Sequence, residues 1–385
     1  EQTLSYGKEF GDHRIDGMFG FTRQRILRSA NGVTTRGFTT DFFEYNNLGA
    51  GSDRSGASSS ASEFGLQSYL FRANYEFKNK YLLTVNARID GSSNFAETKK
   101  YGTFPSLALA WRAGEEEFIS NLGVFDDLKL RASYGRLGNP ASGGSSLARL
   151  GAGFTYLFGP GQDITNGIGL NRLGNEFLRF ETTDQLDIGL DAAFFDSRLL
   201  VTLDYYKKTT NDLFANEDIL WLAGVNNATI ATNFGSMQNS GIELAINSVN
   251  IDRDGFKWET NFNISSNKNK LLEIPDENGE RLINNFAGVG AVPSGILKVG
   301  EPVGSFYGMI RNGLWNSQQE IDAAGVTGFS VFPGGRRYED ISGPDGVPDG
   351  LISSIDDRTI IGNANPDFFG GITNTLSYKG FEFSM

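Results

Sequence analysis

The stretch "YLLTVNARID" (81–90) alternates strictly. Tyr81, Leu83, Val85, Ala87 and Ile89 fall on one face of an extended strand, and Leu82, Thr84, Asn86, Arg88 and Asp90 on the other. A two-faced strand of this length can bury its apolar side in a soluble core, or turn it to lipid and leave its polar side around a wet interior. One strand cannot choose between the two, but a chain built from many such strands can.

Twelve segments share this period: "TLSYGKEF", "RIDGMFGFTR", "LQSYLFRANYEF", "YLLTVNARID", "TFPSLALAWRA", "LKLRASYGRL", "DQLDIGLDAAFF", "RLLVTLDYYKK", "GIELAINS", "FKWETNFNISSN", "GGITNTLSYK" and "GFEFSM". Most approach the roughly 9–11 residues that a tilted strand needs to cross a bilayer, whereas soluble strands average nearer five or six. Sustained helical periodicity is missing, so the class is all-β. No run of about 18 apolar residues marks a membrane helix, and a barrel would not need one.

The connections alternate as well. Short ones fall at 11–13, 78–80, 196–197, 250–255 and 379–380, and long ones at 25–65, 137–182, 209–239 and 268–367. Parity puts 113–127 with the short set and 91–100 with the long set, and requires an even number of strands, possibly none, inside 268–367. Tight turns at one end and long loops at the other are the pattern of an outer-membrane barrel.

The faces agree with this. Lys129, Arg131 and Ser133 oppose Leu128, Leu130, Ala132 and Tyr134, while Asp187, Gly189 and Asp191 oppose Leu186, Ile188, Leu190 and Ala192. Aromatics crowd the strand ends (Tyr75, Phe77, Tyr81, Phe194, Phe195, Trp258), like the girdles that sit at membrane interfaces. A soluble solenoid or sandwich accounts for the alternation, but not for long strands, girdles and alternating loops together.

Composition narrows the chemistry. A formal net charge of −12 excludes a general nucleic-acid binder. With no Cys and a single His, His13, thiolate sites and multi-histidine metal sites are impossible.

Seven stretches, in order, resemble one family: "KYLLTVNARIDGSSNF", "YGTFPSLALAWR", "LKLRASYGRLGN", "ETTDQLDIGLDAAFFDSRLLVTLDYYKKTTNDL", "NFGSMQNSGIEL", "GEPVGSFYGMIRNGLW" and "DDRTIIGNANPDFFGGITNTLSYKGFEFS". The family is the SusC/RagA-type TonB-dependent outer-membrane transporters of Bacteroidetes-like bacteria. The resemblance implies a barrel of about 22 strands around a plug. It also implies uptake of oligosaccharides, or in some members peptides, with a SusD-like surface lipoprotein and energy from the TonB complex. The chain starts without Met and stops inside an alternating strand. Residues 1–385 are therefore expected to be a partial barrel domain, about half the barrel, without the plug or the closing strands.

Candidate sites lie in the long loops. Sugar rings stack on aromatics, so Phe154, Tyr156, Trp221 and Trp315 are candidate substrate contacts, with Asn226 and Asn227 of "GVNNATIATN" as amide partners for hydroxyls. The competing reading is that these aromatics pack loop against loop. The acidic stretch 338–358 offers Asp340, Asp345 and Asp349 as candidate Ca²⁺ ligands. Pro344 and "GLISSI" break the spacing of a calcium loop, so a solvated acidic loop is the simpler reading. "EEE" (115–117) reads as a turn rather than an acid–base pair, and His13 as structural. A non-transport surface barrel or adhesin, and an extracellular β-rich glycan-degrading enzyme, are the alternative functions.

Overall fold

The computed structural model describes residues 1–140, 146–225, 229–276, 278–283, 293–343 and 346–385. All twelve alternating segments are strands of one sheet, in chain order. They are β1 (Gln2–Phe10), β2 (His13–Arg36), β3 (Asp53–Phe77), β4 (Tyr81–Ser92), β5 (Tyr101–Arg112) and β6 (Asp127–Asn139). After them come β7 (Glu181–Phe194), β8 (Leu199–Asn211), β9 (Ser236–Arg253), β10 (Phe256–Glu273), β11 (Phe369–Tyr378) and β12 (Phe381–Ser384). Every neighbouring pair is antiparallel.

The register joins like with like. One row across eight strands reads Ile15, Tyr75, Leu83, Leu109, Ala132, Ile188, Tyr205, Ile242. The next row, on the opposite face, reads Asp16, Asn74, Thr84, Ala108, Ser133, Asp187, Tyr206, Gly241. A slip of one residue would exchange the two faces, so the pattern itself holds the register. The apolar row is uncovered: Ile188 is 51% exposed, and Leu109, Leu130 and Leu203 are exposed beside it.

Short turns sit together at one end. Lys78 and Asn79 (φ 52° and 56°), and Asp254 and Gly255 (φ 55° and 76°), carry the two positive φ angles of tight primed turns, whose twist suits the strands they join. Aromatics collect along the apolar face at this end. His13 lies between Phe10 (5.2 Å) and Phe77 (4.9 Å), with Phe77 6.3 Å from Tyr81. The His13 ring also hydrogen-bonds the Tyr75 hydroxyl at 2.8 Å, a structural role.

The stretch "EEE" holds a neighbouring turn in place. Glu116 accepts hydrogen bonds from Tyr81 Oη (2.6 Å), Lys80 Nζ (3.0 Å) and Trp111 Nε1 (3.3 Å). The Tyr81 bond, then the Lys80 bond, hold its carboxyl below the ordinary glutamate range.

Three boundaries differ from expectation. β2 and β3 run far into the segment 25–65, where Ser, Ala and Thr give no apolar period but pair as a two-stranded ribbon. β9 continues to Arg253, leaving Asp254 and Gly255 as the turn. Among the described residues, 268–367 gives the main sheet only the end of β10. It contains a small sheet of its own, built from Glu280–Ile283, Gly295–Lys298, Ser305–Gly308 and Thr359–Asn363.

Ile188→Arg in the full-length protein is expected to cost about 2–4 kcal/mol, the depth-dependent penalty for a cation on a lipid face. Asp187→Asn, on the opposite face, should cost much less. Urea unfolding in lipid vesicles measures both, and equal small losses would refute the assignment of faces.

Candidate functional site

Two surfaces can meet a solute: the polar face of the sheet and the loops above its rim. The polar face is a hydrogen-bonded wall. Thr84 Oγ1 donates to Asn74 Oδ1 (2.9 Å), Asn86 Nδ2 to Ser106 Oγ (3.1 Å), and Tyr206 Oη to Asn267 Oδ1 (2.9 Å). Arg131 is its central cation. Its fork donates to both oxygens of Asp191 (2.7 and 3.0 Å) and onward to Asp204 (2.9 Å), two strands away.

The reach of Arg131 depends on Gly189, which pairs with it and with Asp204. A Cβ at Gly189 would overlap the Asp204 carboxylate and lie 2.7 Å from Arg131 Cζ. The glycine is the opening through which the guanidinium crosses a strand.

The loops are fastened to the rim by a small apolar core. Leu178 and Phe180 from the β6–β7 loop meet Phe95 from the β4–β5 loop, Phe104 of β5, and Phe214 and Ala231 from the β8–β9 loop. Phe180 lies 4.8 Å from Phe95 and 5.4 Å from Phe104. Arg179 bonds Asp212 at 2.5 Å, and Arg281 bonds both Glu217 (3.1 Å) and Asp276 (2.9 Å), tying three loops together.

Phe154 and Tyr156 lie on Arg149–Phe158, a strand paired with Asp163–Arg172 in a loop hairpin. Their rings cover Gly169 and Gly167, where any Cβ would meet them at 2.8 and 3.1 Å. Tyr156 is half exposed and stands 6.1 Å from Phe158, edge to face. The hairpin therefore presents three aromatic rings along one strand, two of them laid over glycines. Trp221 opens the short helix Trp221–Ala223 in the β8–β9 loop. Asn226 and Asn227 lie outside the described residues.

Trp315, which the sequence leaves open as a substrate contact or as loop packing, is buried. It is 2% exposed, with the Arg337 guanidinium 4.7 Å above its ring and Glu320 holding that guanidinium at 2.7 Å. The pairing of a cation with a large ring, sealed by a carboxylate, makes it the core of a loop module.

Asp340 accepts from the backbone N–H of Gly350 (2.7 Å) and Asp349 (3.3 Å), and Asp349 from that of Leu351 (2.8 Å). Asp345 lies outside the described residues. No three His, Asp or Glu side chains converge as a metal site among the described residues.

Asp357, missed in the sequence reading, is the fully buried member of this stretch. Burial works against its charge. Backbone N–H groups of Ser353 (2.7 Å), Ser342 (3.0 Å) and Ile341 (2.7 Å) outweigh that and hold its pKa below the ordinary aspartate value. A legible signal was also missed at Ser317–Glu320. Ser317 Oγ accepts from Glu320 N (3.2 Å) and Glu320 Oε2 from Asn316 N (3.0 Å), a near relative of the capping box, starting the helix Gln318–Ala324.

The family model for the β-barrel of TonB-dependent receptor-like proteins matches residues 2–360. The chain belongs to the TonB-dependent receptor β-barrel family. It is 37% identical to TonB-dependent receptor P3 of Formosa agariphila over its full length, and 32% identical to TonB-dependent receptor SusC of Bacteroides thetaiotaomicron over 83% of its length. It spans 38% and 30% of those relatives. The solved RagAB peptide transporter has the same fold over 99% of this chain and 39% of its own, with a TM-score of 0.80 and 22% identity. The family places the sheet in the outer membrane and is one of receptors, not of enzymes. The apolar row of the sheet is accordingly its lipid face, and the Arg131 wall its lumen face.

Two outcomes follow. Gly189→Ala should displace Arg131 from Asp204 and cost about 1–3 kcal/mol in the unfolding of the full-length receptor. Wild-type stability would refute the crossing. A depressed carboxyl contributes stability at neutral pH and loses it as the pH falls through its native pKa. The loop module should therefore loosen in acid below the ordinary aspartate range, and Asp357→Asn should remove most of that pH dependence. Hydrogen exchange of residues 341–358 reads both.

Proposed function

We propose that the full-length protein is a TonB-energised importer of the SusC/RagA type. In this reading the loops capture an oligosaccharide under a SusD-like surface lipoprotein, and the solute passes along the polar wall once a plug moves. A peptide is the alternative cargo. The observation that carries the reading is the two-faced sheet: an uncovered apolar face and a lumen face lined with amides, hydroxyls and paired charges. Such a wall gives a hydrated solute hydrogen bonds to exchange at every step without trapping it at one charge. The names of the relatives support the class: SusC among the sequences and a peptide transporter among the folds.

Within this reading Phe154 and Tyr156 supply stacking surfaces, because sugar rings present apolar C–H faces that aromatic rings cover. Trp221 adds a third ring, Asn226 and Asn227 supply amides for hydroxyls, and Trp315 contributes by shaping its module. Asp340, Asp345 and Asp349 would serve Ca²⁺ only as a loop-ordering ion. A surface barrel without transport would keep the loops but would need no energy supply.

The test uses cells carrying the full-length protein. Uptake of a fluorescent oligosaccharide should stop when the proton gradient is collapsed. Phe154→Ala with Tyr156→Ala should lower uptake about tenfold or more, at unchanged outer-membrane protein levels. Uptake that survives an uncoupler would overturn the importer reading. Topology is checked separately: Asn166→Cys should react with a membrane-impermeant thiol reagent on whole cells, and Asp254→Cys should not.

A further inference from the structure

On β8–β10 the lipid face ends in a cluster of positive charge at the loop side. The row Ile188, Tyr205, Ile242, Ser266 closes the apolar band there. The next row outward on the same face reads Leu186, Lys207, Ser240, Lys268, and the one beyond it Asp184, Thr209, Gln238, Lys270. All three lysines are exposed. Strands lie about 4.8 Å apart and same-face residues about 6.6 Å apart along a strand. Lys207 and Lys268, on either side of Ser240, are therefore about 10 Å apart at the backbone, and Lys268 and Lys270 about 7 Å. Flexible lysine side chains close such gaps, so the three ammonium groups can meet on one anionic head.

A lone exposed lysine without an acid is ordinary. Three of them in two adjacent rows of a lipid face are not, because like charges on neighbouring positions of a sheet repel. The acids close by do not answer them. Asp184, the carboxylate in these rows, accepts the fork of Arg136 at 2.8 and 2.9 Å. Asp212 is held by Arg179, and Asp367 meets Ser266 through its backbone carbonyl (2.9 Å). Across β4–β7 the same face carries one cation, Arg136, and that one is paired. The depth is also specific. From Leu199, at the turn end, to Lys207 the strand climbs about 26 Å, or about 20 Å across a bilayer at the usual tilt, close to the height of a barrel's apolar band. The lysines therefore stand among the outer headgroups.

We propose that Lys207, Lys268 and Lys270 form a binding site for the phosphate-bearing glycolipid of the outer leaflet. The ammonium groups hold its phosphates, and its acyl chains lie on Leu186, Tyr205 and Ile242, which are exposed directly below. The occupant is a lipid rather than a free anion because charge and apolar surface are stacked in the order of headgroup and chain. The anion relieves the repulsion among the lysines, and the sheet gains a fixed partner where its ladder meets the loops. The site rests on the outer-membrane placement of the sheet and not on the importer reading.

Fluorescence anisotropy tests it on the purified full-length receptor in non-ionic detergent. The probes are a labelled bisphosphorylated lipid A and the same lipid without its phosphates. The phosphorylated form should bind about tenfold tighter or more, the scale of a few lysines at an anionic headgroup, and high salt should weaken that preference. Lys207→Gln, Lys268→Gln and Lys270→Gln combined should abolish it while leaving the dephosphorylated probe unaffected. Each change alone should give part of the loss, and arginine at all three positions should keep the preference. Lys8→Gln with Arg23→Gln removes two cations elsewhere on the same face and should change nothing. Heat-modifiable gel mobility checks that every variant is a folded barrel. Equal binding of the two lipids overturns the proposal, as does a preference that survives the triple change. An equal loss in the Lys8 and Arg23 variant would show diffuse attraction and refute a site. Displacement of the lipid by millimolar inorganic phosphate would refute the lipid as its occupant.

Discussion

A backbone in hydrocarbon has no water to bond, so each N–H and C=O must be matched inside the protein. That requirement governs this sheet. Its eleven neighbouring pairs are antiparallel and follow chain order. The register shifts in the main sheet fall near strand ends, at Thr34/Arg36, Ser236/Met237 and Val249/Ile251. The apolar band between the ends has none. Irregularity is confined to where water can satisfy what the ladder leaves open.

Once the ladder is continuous, the pleat decides the rest. Each residue that turns to lipid forces its neighbours inward, so a hydrophobic exterior brings a polar interior with it. The interior then has to manage its charges. Arg131 does so by crossing Gly189 to reach two carboxylates.

The loops obey a different rule. They stand in water and have no long apolar face to bury, so they order themselves with small cores and side-chain-to-backbone bonds. Phe95, Phe104, Leu178 and Phe180 clamp loop stems to the rim. Asp340 and Asp357 spend their carboxylates on backbone N–H groups of their own stretch. An acidic run that reads as a calcium loop by composition can equally be a set of turn-forming aspartates, because both uses require oxygen acceptors at short spacing.

The strands, their order, their two faces and the alternation of turns and loops were legible in the sequence, because period-two patterning and connection length are local properties and parity does the rest. The helix-start signal at Ser317–Glu320 was equally legible and overlooked. The ribbon formed by β2 and β3 was not legible: Ser, Ala and Thr carry no hydrophobic period, and only cross-strand pairing such as the Arg25–Glu63 fork, at 2.6 and 3.0 Å, reveals it. Trp315 could not be told from an exposed ring, since its cover, Arg337, lies 22 positions away. Whether a cation is neutralised depends on which acids neighbouring strands bring beside it, and registers between strands dozens of residues apart exist only in the folded sheet.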